Sequence, residues 1–455
     1  MVDAESADRR NNTTNESDMI YERLTTDQRS LYERLCCKNT LEQGFKAVKR
    51  NKGAPGMDGV AIDQFECCLD VELSKLSLEL ESWTYKPMPV RRVEIPKPGK
   101  NAGVRLLGVP CTRDRVVQAT LKILLEPILD PTFSDRSYGF RPGRNQRQAV
   151  ESIQRIVQSG KEYVVDIDLS KFFDRVNHDR LINRLKKDIS DNRILRIIGT
   201  ILRSGVLIDG HVEVTLEGTV QGSPLSPLLS NVVLDELDKE LERRGLEFGR
   251  FADDCQIFVK SLKSAERVMG NISRFIENKL KLVVNREKSK VAHIHDVKFL
   301  GMTIIDGRIV ISGKSMNRAM EKIKELTPRG THLKLERAIE EINKWYVGWS
   351  SYHRMTQYPA QFKTLEAHIR RRLRSRLVGQ QKRRRHLFNK LVRRGASKKA
   401  AALVYSNKGR WALSYSFVVA NAFSIKWFAD QMGLKIRSNE KHPHWFSLDQ
   451  FVKVT

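Results

Sequence analysis

The pattern of hydrophobic residues divides the chain into two regions. Up to about residue 303, short apolar runs of strand length alternate with stretches whose apolar residues recur every three or four positions, which predicts strands separated by helices. From about residue 315 the pattern is helical, and Ile339, Ile342, Tyr346 and Trp349 form one apolar stripe. This order predicts an α+β region followed by an all-α region. The predicted strands are 90–96, 163–168, 250–253 and 255–259, and the predicted helices include 31–48, 114–129 and 144–157.

Carboxylates stand where two of the predicted strands end. Asp166 and Asp168 close the strand 163–168, and Asp253 and Asp254 separate two apolar runs. Two hard cations roughly 4 Å apart, held by such oxygen ligands, stabilise the attacking and leaving oxygens of nucleotidyl transfer. An isolated Asp-Asp pair is also typical of a polar two-residue turn. By geometry alone either Asp166 or Asp168 is a candidate ligand, because residues two apart on a strand point the same way.

The charge balance indicates a polyanionic partner. The chain holds 81 Lys and Arg residues against 54 Asp and Glu residues, a net charge of +27. From Arg370 to Lys399 there are fourteen Lys or Arg residues and no Asp or Glu. Such a segment binds phosphates through counterion release. An anionic membrane would attract the same charge, but no apolar run approaches the roughly 20 residues of a spanning helix and no secretory signal opens the sequence. We therefore expect a cytoplasmic RNA or DNA partner and no membrane.

The cysteine pattern excludes two kinds of site. Two adjacent pairs and two single cysteines match neither a disulfide framework nor the Cys-x-x-Cys spacing of a zinc site. We expect all six to be reduced and structural. They are Cys36, Cys37, Cys67, Cys68, Cys111 and Cys255.

Seven segments resemble, in order along the chain, the sequence blocks of group II intron reverse transcriptases. The FADD run at 251–254 is similar to the family's Tyr-Ala-Asp-Asp. WYVGW at 345–349, followed by Tyr352, resembles the thumb or maturase region, and the tail through NKGRW at 407–411 is similar to the DNA-binding region of compact bacterial group IIC proteins. The seven blocks are IPKP (95–98), SYGFRP (137–142), DIDLSKFFDRVNH (166–178), QGSPLSPLLSN (221–231), FADD (251–254), NREKS (285–289) and FLG (299–301).

The resemblance implies a right-hand polymerase of fingers and palm followed by an all-α thumb. No Cys-x-x-Cys pairs with a downstream His cluster follow, so no HNH endonuclease domain is expected. The first residues are rich in Asp, Asn, Ser and Thr with almost no apolar side chains, so a disordered tail is expected at 1–20. The domains expected after it are an N-terminal extension with a Gly-rich loop at 21–80, fingers and palm at 81–310, a helical thumb or maturase domain at 311–385 and a basic DNA-binding region at 386–455.

The resemblance also assigns roles in catalysis. Asp168, Asp253 and Asp254 would hold two Mg²⁺ ions, with Mn²⁺ as a substitute and the backbone carbonyl of Leu169 as an extra ligand. Asp168 is preferred to Asp166 because it lies five residues before Phe173. Phe173 would clash with a 2′-hydroxyl and so select deoxynucleotides. The remaining implied nucleotide contacts are Lys97 and Arg105 to the triphosphate, Gln221 and Gly222 along the sugar and template base, and Lys288 at the leaving pyrophosphate.

The implied function is an RNA-directed DNA polymerase of a bacterial cytoplasm that also binds intron RNA to assist splicing and retrohoming. Its implied partners are the intron RNA, an RNA template with a DNA or RNA primer, target DNA and deoxynucleoside triphosphates; the sequence does not indicate an oligomeric state. The basic residues expected to track phosphates are Arg370, Arg371, Arg372, Arg383, Arg384, Arg385, Arg393 and Arg394.

Two departures from the family pattern keep other functions open. Phe251 replaces the usual Tyr, and Val220 replaces a Pro common before Gln-Gly. The alternatives are a splicing factor with a vestigial polymerase, and a domesticated reverse transcriptase in repair or defence. The set of Asp168, Asp253, Asp254 and Phe173 argues against a vestigial site.

Overall fold

The computed structural model describes residues 29–96, 103–208, 211–213, 217–328, 333–381, 383–406 and 408–437. The expectations for the tail at 1–20, for Lys97 and for the end of the basic region beyond 437 lie outside these residues. The chain divides into two compact units. The first comprises Met1–Ile156 and Gly160–Ala292, and the second comprises Val157–Ser159 and His293–Thr455.

The first unit is the mixed α+β region, as predicted. Its strands are β1 Val90–Pro96, β2 Val104–Val109, β3 Tyr163–Ile167, β4 Val206–Ile208, β5 His211–Glu213, β6 Glu247–Phe251, β7 Asp254–Val259 and β8 Lys290–His293. Its α-helices are α1 Leu31–Cys36, α2 Lys38–Arg50, α3 Ile62–Cys67, α4 Leu69–Glu81, α5 Thr112–Leu129, α6 Gln146–Gln158, α7 His178–Leu185, α8 Asn192–Leu202, α9 Ser226–Arg243 and α10 Leu262–Phe275.

One predicted helix forms as two. The pattern at 31–48 predicts a continuous helix, but Cys37 is extended (φ −65°, ψ 124°) and separates α1 from α2. A capping box fixes the start of α1, since the Ser30 side chain accepts from the Glu33 N–H and the Glu33 carboxylate accepts from the Ser30 N–H. Helix α2 then packs closely on α5 at Gly44, where a Cβ would lie 2.1 Å from Thr120 Oγ1.

Two sheets organise the first unit. The central sheet has the strand order β6-β7-β3-β8, and a second sheet has the order β2-β1-β4-β5. In the central sheet β7 pairs antiparallel with both β3 and β6. Fully buried strand residues such as Val165, Phe248 and Ile257 join the apolar faces of helices α5, α8 and α9 in one hydrophobic core. The ends of β3, β6 and β7 are thereby fixed on a rigid scaffold.

The second unit is predominantly helical, again as predicted. The hairpin β9 Met302–Ile305 and β10 Arg308–Ile311 turns through Asp306 and Gly307, both with positive φ (49° and 70°). The predicted stripe lies on α12, where Ile339, Ile342 and Tyr346 are buried in the unit's core. The α-helices are α11 Gly313–Leu326, α12 Leu335–Tyr352, α13 Ala360–Gly379, α14 Arg384–Arg393, α15 Lys398–Ala401, α16 Arg410–Leu413 and α17 Phe417–Ala422.

Short 3₁₀ and π segments complete the regular structure of the described residues. They are the 3₁₀ helices Asp130–Thr132, Phe172–Arg175, Ile294–Asp296, His353–Met355 and Ala402–Tyr405, and the π-helical turns Ile276–Leu280 and Trp427–Gln431. All six cysteines are free thiols; Cys36, Cys111 and Cys255 are buried, whereas Cys67 and Cys68 are exposed. None of the helices in the described part of the chain combines the length and apolar content needed to cross a membrane.

Candidate active site and nucleic-acid interface

Strand register brings the predicted carboxylates to one edge of the central sheet. The last β3–β7 pair is Ile167 opposite Cys255, and Asp168 and Asp254 are the next residues beyond that pair on the two segments. Strands β6 and β7 pair up to Phe251 opposite Asp254, which leaves Ala252 and Asp253 as the two-residue turn of a hairpin. Three carboxylates from two chain segments therefore share one sheet edge.

The backbone at Asp168 is held from the segment around the NREKS block. Ser289 Oγ accepts from the Asp168 N–H at 3.0 Å and donates to the Asp168 carbonyl at 3.3 Å. The Asn285 N–H donates to the same carbonyl at 2.9 Å. The next residue, Leu169, continues this pairing in a β-bridge with Val284. Sequence reasoning had not singled out Ser289, although it lies in the quoted NREKS block beside Lys288.

Asp166 has a different environment from Asp168. It lies inside the β3–β7 ladder opposite Gln256, whose side-chain amide donates to Asp166 Oδ1 at 3.2 Å. Asp168 lies beyond the last ladder pair, at the open edge. Its carboxylate is 43% exposed, and Lys288 Nζ lies 3.8 Å from its Oδ1. Of the two carboxylates that sequence geometry left open, Asp168 is the one placed at the edge of the sheet.

The donor set suits hard divalent cations, because carboxylate and carbonyl oxygens are the ligands that Mg²⁺ prefers. Within the described residues, no group of three or more His, Cys, Asp or Glu side chains converges tightly enough to hold an ion. Strand register sets the backbones of these residues at one sheet edge. Their like-charged carboxylates repel one another, and side chains reorient more easily than paired strands.

Two of the segments that carry predicted nucleotide contacts are neighbours. The Gly108 N–H on β2 donates to the Gln221 carbonyl at 2.8 Å, so the QGSPLSPLLSN block lies against the β1–β2 hairpin that carries the exposed Arg105. Gly222 has φ 112°, and a Cβ there would lie 2.8 Å from the Gly108 carbonyl. Only glycine therefore fits this approach. The side chain of Val220, the departure from Pro, packs against Gly108 in the same contact.

Phe173 lies in the 3₁₀ turn Phe172–Arg175 that follows β3. Its ring is partly buried and meets the ring of Phe172 edge-on, with 5.3 Å between centroids. The Thr219 N–H donates to the Phe173 carbonyl at 2.6 Å, which ties the turn to the segment just before Gln221. Backbone contacts thus fix the position of this ring.

The predicted phosphate-tracking arginines fall into two groups in the second unit. One group is bonded within the unit: Arg372 donates to the Thr327 carbonyl at 2.6 Å, Arg394 donates to the Ala422 carbonyl at 2.7 Å, and Arg370 Nη1 lies 3.8 Å from Glu366. Arg371 is also engaged, since its guanidinium lies 4.1 Å from the ring centre of Trp411. The exposed group comprises Arg383, Arg384, Arg385 and Arg393, and of these Arg384 also donates to the Lys408 carbonyl at 3.1 Å.

Exposed aromatic side chains accompany the exposed cations. Tyr405, Tyr415 and Phe417 are 54%, 74% and 78% exposed. Lys398, Lys399 and Lys408 in the same segment are exposed as well. Aromatic rings among cations are a typical surface for single-stranded nucleic acid, because the bases stack while the cations meet phosphates. By contrast Trp345 and Trp349 pack against the core of the second unit.

Two family models match the chain in succession. Residues 95–304 match the reverse transcriptase (RNA-dependent DNA polymerase) family, and residues 316–395 match the group II intron, maturase-specific domain. The first match includes all three carboxylates of the sheet edge. The second covers most of helices α11 to α14.

Individual proteins give the same picture. The chain is similar to Protein YkfC of Escherichia coli (strain K12), with 33% identity over 309 residues that cover 59% of this chain and 81% of that protein. It is also similar to the group II intron-encoded protein LtrA of Lactococcus lactis subsp. cremoris, with 32% identity covering 57% of this chain and 42% of LtrA. A solved partial Cas6-RT-Cas1--Cas2 complex matches at 26% identity with a TM-score of 0.36, over 56% of this chain and 43% of that one. The chain thus spans less than half of LtrA.

Proposed function

Because this chain belongs to the family of group II intron-encoded reverse transcriptases and maturases, we propose that it copies RNA into DNA at the edge of its central sheet and binds intron RNA to assist splicing and retrohoming. The observation that supports the polymerase part is the register of β3 and β7, in which Asp168 and Asp254 directly follow the last pair, Ile167 opposite Cys255, beside the Asp253 turn. A vestigial polymerase would have no need to retain all three carboxylates in that register.

The carboxylates of Asp168, Asp253 and Asp254 are the proposed cation ligands, with the Leu169 carbonyl completing the set. Enzymes of the reverse transcriptase family use divalent metal ions; two Mg²⁺ ions, when bound, would stabilise the attacking and leaving oxygens. Mn²⁺ would serve as a substitute. Lys288 is close enough to Asp168 to reach a phosphate held at the same edge, where its ammonium would neutralise the departing pyrophosphate.

Selection of the nucleotide falls to the residues around the sheet edge. The ring of Phe173 would exclude a 2′-hydroxyl and so favour deoxynucleotides. Gln221 and Gly222 would lie along the sugar and the template base, and their contact with Gly108 joins them to the β1–β2 hairpin. The positively charged side chains of Lys97 and Arg105 on that hairpin would bind the triphosphate.

Nucleic-acid binding by the second unit is supported by its exposed cations and rings. We place the strongest phosphate contacts at Arg383, Arg384, Arg385 and Arg393, because their side chains are exposed. Arg370, Arg371, Arg372 and Arg394 would contribute mainly by shaping the surface, since their guanidinium groups are engaged within the unit. Intron RNA and target DNA are the proposed occupants, as expected for a maturase-specific domain.

Primer extension tests the polymerase proposal. The full chain, an RNA template with an annealed DNA primer, deoxynucleoside triphosphates and Mg²⁺ should yield cDNA. Asp253→Asn should abolish the product, and Asp179→Asn, which alters an exposed carboxylate on α7, should leave it unchanged. Extension by the Asp253→Asn variant at the wild-type rate would contradict the proposed site.

The remaining alternatives predict different outcomes. If the wild-type chain binds intron RNA and promotes splicing but makes no cDNA, it is a maturase with a vestigial polymerase. If it makes cDNA but catalytic intron RNA does not flank its coding sequence, the proposal changes to a domesticated reverse transcriptase in repair or defence.

A further inference from the structure

A completely buried arginine lies one residue before the FADD run. Arg250 is on β6, its side chain has no exposed area, and neither has that of Asp238 on α9. Burial of two charges is costly, and an apolar pair of similar volume often gives equal or greater stability. The position therefore calls for an explanation other than stability alone.

The guanidinium of Arg250 is fully engaged. Nε donates to Asp238 Oδ1 at 2.7 Å and Nη2 donates to Asp238 Oδ2 at 2.5 Å, which makes a bidentate pair. Nη1 donates to Asn231 Oδ1 at 3.0 Å and to the Ala252 carbonyl at 2.9 Å. The last bond is the important one, because the Ala252 carbonyl belongs to the peptide that joins Ala252 to Asp253.

The same turn is held from its other side. The Asn231 side-chain amide donates to the Gly139 carbonyl at 2.9 Å. Gly139 lies directly against the turn, since a Cβ on it would lie 2.2 Å from the Ala252 nitrogen. Asn231 thus links Arg250 to the segment that packs on the turn, and the turn lies between two fixed groups.

Ala252 needs this support. Its φ is 57°, in the left-handed region that residues other than glycine rarely adopt. Such a conformation persists where the surroundings over-determine it, and it is concentrated at functional sites. Here the surroundings are a buried guanidinium on the carbonyl side and Gly139 on the amide side.

We propose that Arg250, held by Asp238 and Asn231, is a positioning residue that fixes the Ala252–Asp253 peptide and thereby aims the Asp253 and Asp254 carboxylates at their cations. This inference rests on the proposed polymerase function for its catalytic consequence. Arg250 itself touches neither substrate nor cation. Arg250 acts through the Ala252–Asp253 peptide. Its loss therefore changes the orientation of the Asp253 and Asp254 carboxylates and leaves the number of ligands unchanged.

The test separates positioning from stability. The double variant Arg250→Met/Asp238→Leu removes both buried charges and replaces them by apolar side chains, so it should fold with a thermal midpoint close to that of the wild type. The bond to the Ala252 carbonyl is lost. A matched control is Arg113→Met/Glu79→Leu, which removes a partly buried ion pair of the same unit at another position.

Three readouts are expected to change in the double variant. Amide hydrogen exchange at 252–254 should become at least about tenfold faster, with exchange in β3 unchanged. Mn²⁺ should bind the protein more weakly, which electron paramagnetic resonance detects as a larger amount of free Mn²⁺. Primer extension should lose about 10- to 100-fold in kcat while the KM for deoxynucleotides changes little, as expected for misplaced ligands. The control pair should leave all three near wild type.

If the double variant does not fold, Asn231→Leu retains the ion pair and removes the link to Gly139, and it should change the same readouts less strongly. If the double variant folds and its amide exchange at 252–254 equals that of the wild type, the positioning role is overturned. If only Asn231→Leu folds, unchanged exchange at 252–254 in that variant overturns it as well. A wild-type chain that makes no cDNA would instead overturn the proposed function. The exchange measurement does not depend on activity, so the two failures are distinguishable.

Discussion

Ser289 contacts the backbone of Asp168 on both sides of that residue, its hydroxyl accepting from the N–H at 3.0 Å and donating to the carbonyl at 3.3 Å. The two residues are 121 positions apart in the chain. The pairing of β3 with β7 stops before Asp168, so no ladder partner on β7 fixes its backbone. The Ser289 hydroxyl supplies hydrogen bonds to that backbone instead. Asp168 is thereby presented on a backbone that is held on one side by β7 and on the other by the NREKS segment.

Replacement of Ser289 by alanine should impair catalysis more than folding. Loss of the hydroxyl removes one acceptor and one donor at Asp168, which costs about 1 kcal/mol per hydrogen bond. The Asn285 N–H still donates to the Asp168 carbonyl, so the strand end becomes more mobile but keeps one of its hydrogen bonds. We expect roughly tenfold slower primer extension and a higher Mg²⁺ requirement. Ser289→Thr, which keeps the hydroxyl, should restore both, and equal activity of Ala and Thr variants would contradict this role.

Phe173→Ala should weaken the discrimination between deoxynucleotides and ribonucleotides. The bond from the Thr219 N–H to the Phe173 carbonyl involves only backbone atoms, so removal of the ring opens space without displacing the turn. We expect ribonucleotide incorporation relative to deoxynucleotide incorporation to rise about tenfold or more, measured as a ratio of kcat/KM values. Phe173→Tyr retains the ring and should keep wild-type discrimination. An unchanged ratio in the alanine variant would remove Phe173 from the gate.

The two groups of arginines should respond in opposite ways to neutralisation. Changing Arg383, Arg384 and Arg385 together to Gln should flatten the dependence of log K on log salt by about two units for single strands and about three for duplex DNA. The thermal midpoint should change little, because all three are exposed and the bond from Arg384 to the Lys408 carbonyl lies at the surface. Arg372→Gln should instead lower the thermal midpoint and leave the salt dependence unchanged, since the Arg372 guanidinium donates to both the hydroxyl and the carbonyl of Thr327.

These opposite outcomes are measured by fluorescence anisotropy across a salt series and by thermal unfolding of the same preparations. If the triple variant has the wild-type salt slope, the nucleic-acid footprint lies elsewhere on the protein. If Arg372→Gln lowers the slope without affecting stability, its bonds to Thr327 break when nucleic acid binds.

Local patterning predicted much of this fold. The strands expected at 90–96 and 255–259 correspond to Val90–Pro96 and Asp254–Val259, because alternation and short apolar runs report directly on strands buried in a core. The same runs indicated that carboxylates lie at strand ends, but spacing alone left Asp166 and Asp168 both open. Local patterning could not detect the break at Cys37, where the apolar spacing continues across two helices and only the backbone conformation separates them.

The supports of the site could not be predicted, because they depend on contacts between distant segments. A serine 121 residues from Asp168 and a buried Asp238 on α9 carry no local signal of their role. The run of arginines shows the same limit. Its charge predicts a polyanion, but whether a guanidinium faces solvent or a backbone carbonyl, as at Arg394 and Ala422, is decided by how helices pack.

Asp114 should make the stability of the protein depend on pH. Its side chain is 1% exposed, and it accepts hydrogen bonds from the Tyr85 hydroxyl at 2.8 Å and the Met88 N–H at 3.0 Å. Burial raises the pKa of this carboxyl to about 6, against the opposing effects of those bonds and of Arg113. The unfolded-state pKa is near 3.9. The folded state therefore holds the proton over a range in which the unfolded state has lost it.

The sign of the effect follows from this difference. The stabilising contribution is complete below about pH 4 and is lost as the pH rises through about 6, since charging the buried carboxyl then disfavours the folded state. Relative to Asp114→Asn, the wild type should lose about 3 kcal/mol of unfolding free energy between pH 4 and pH 7. Urea unfolding of both proteins across this range measures the difference, and Asp63→Asn, at an exposed position, should show none. Parallel profiles for wild type and Asp114→Asn would mean that Asp114 stays ionised in the folded protein.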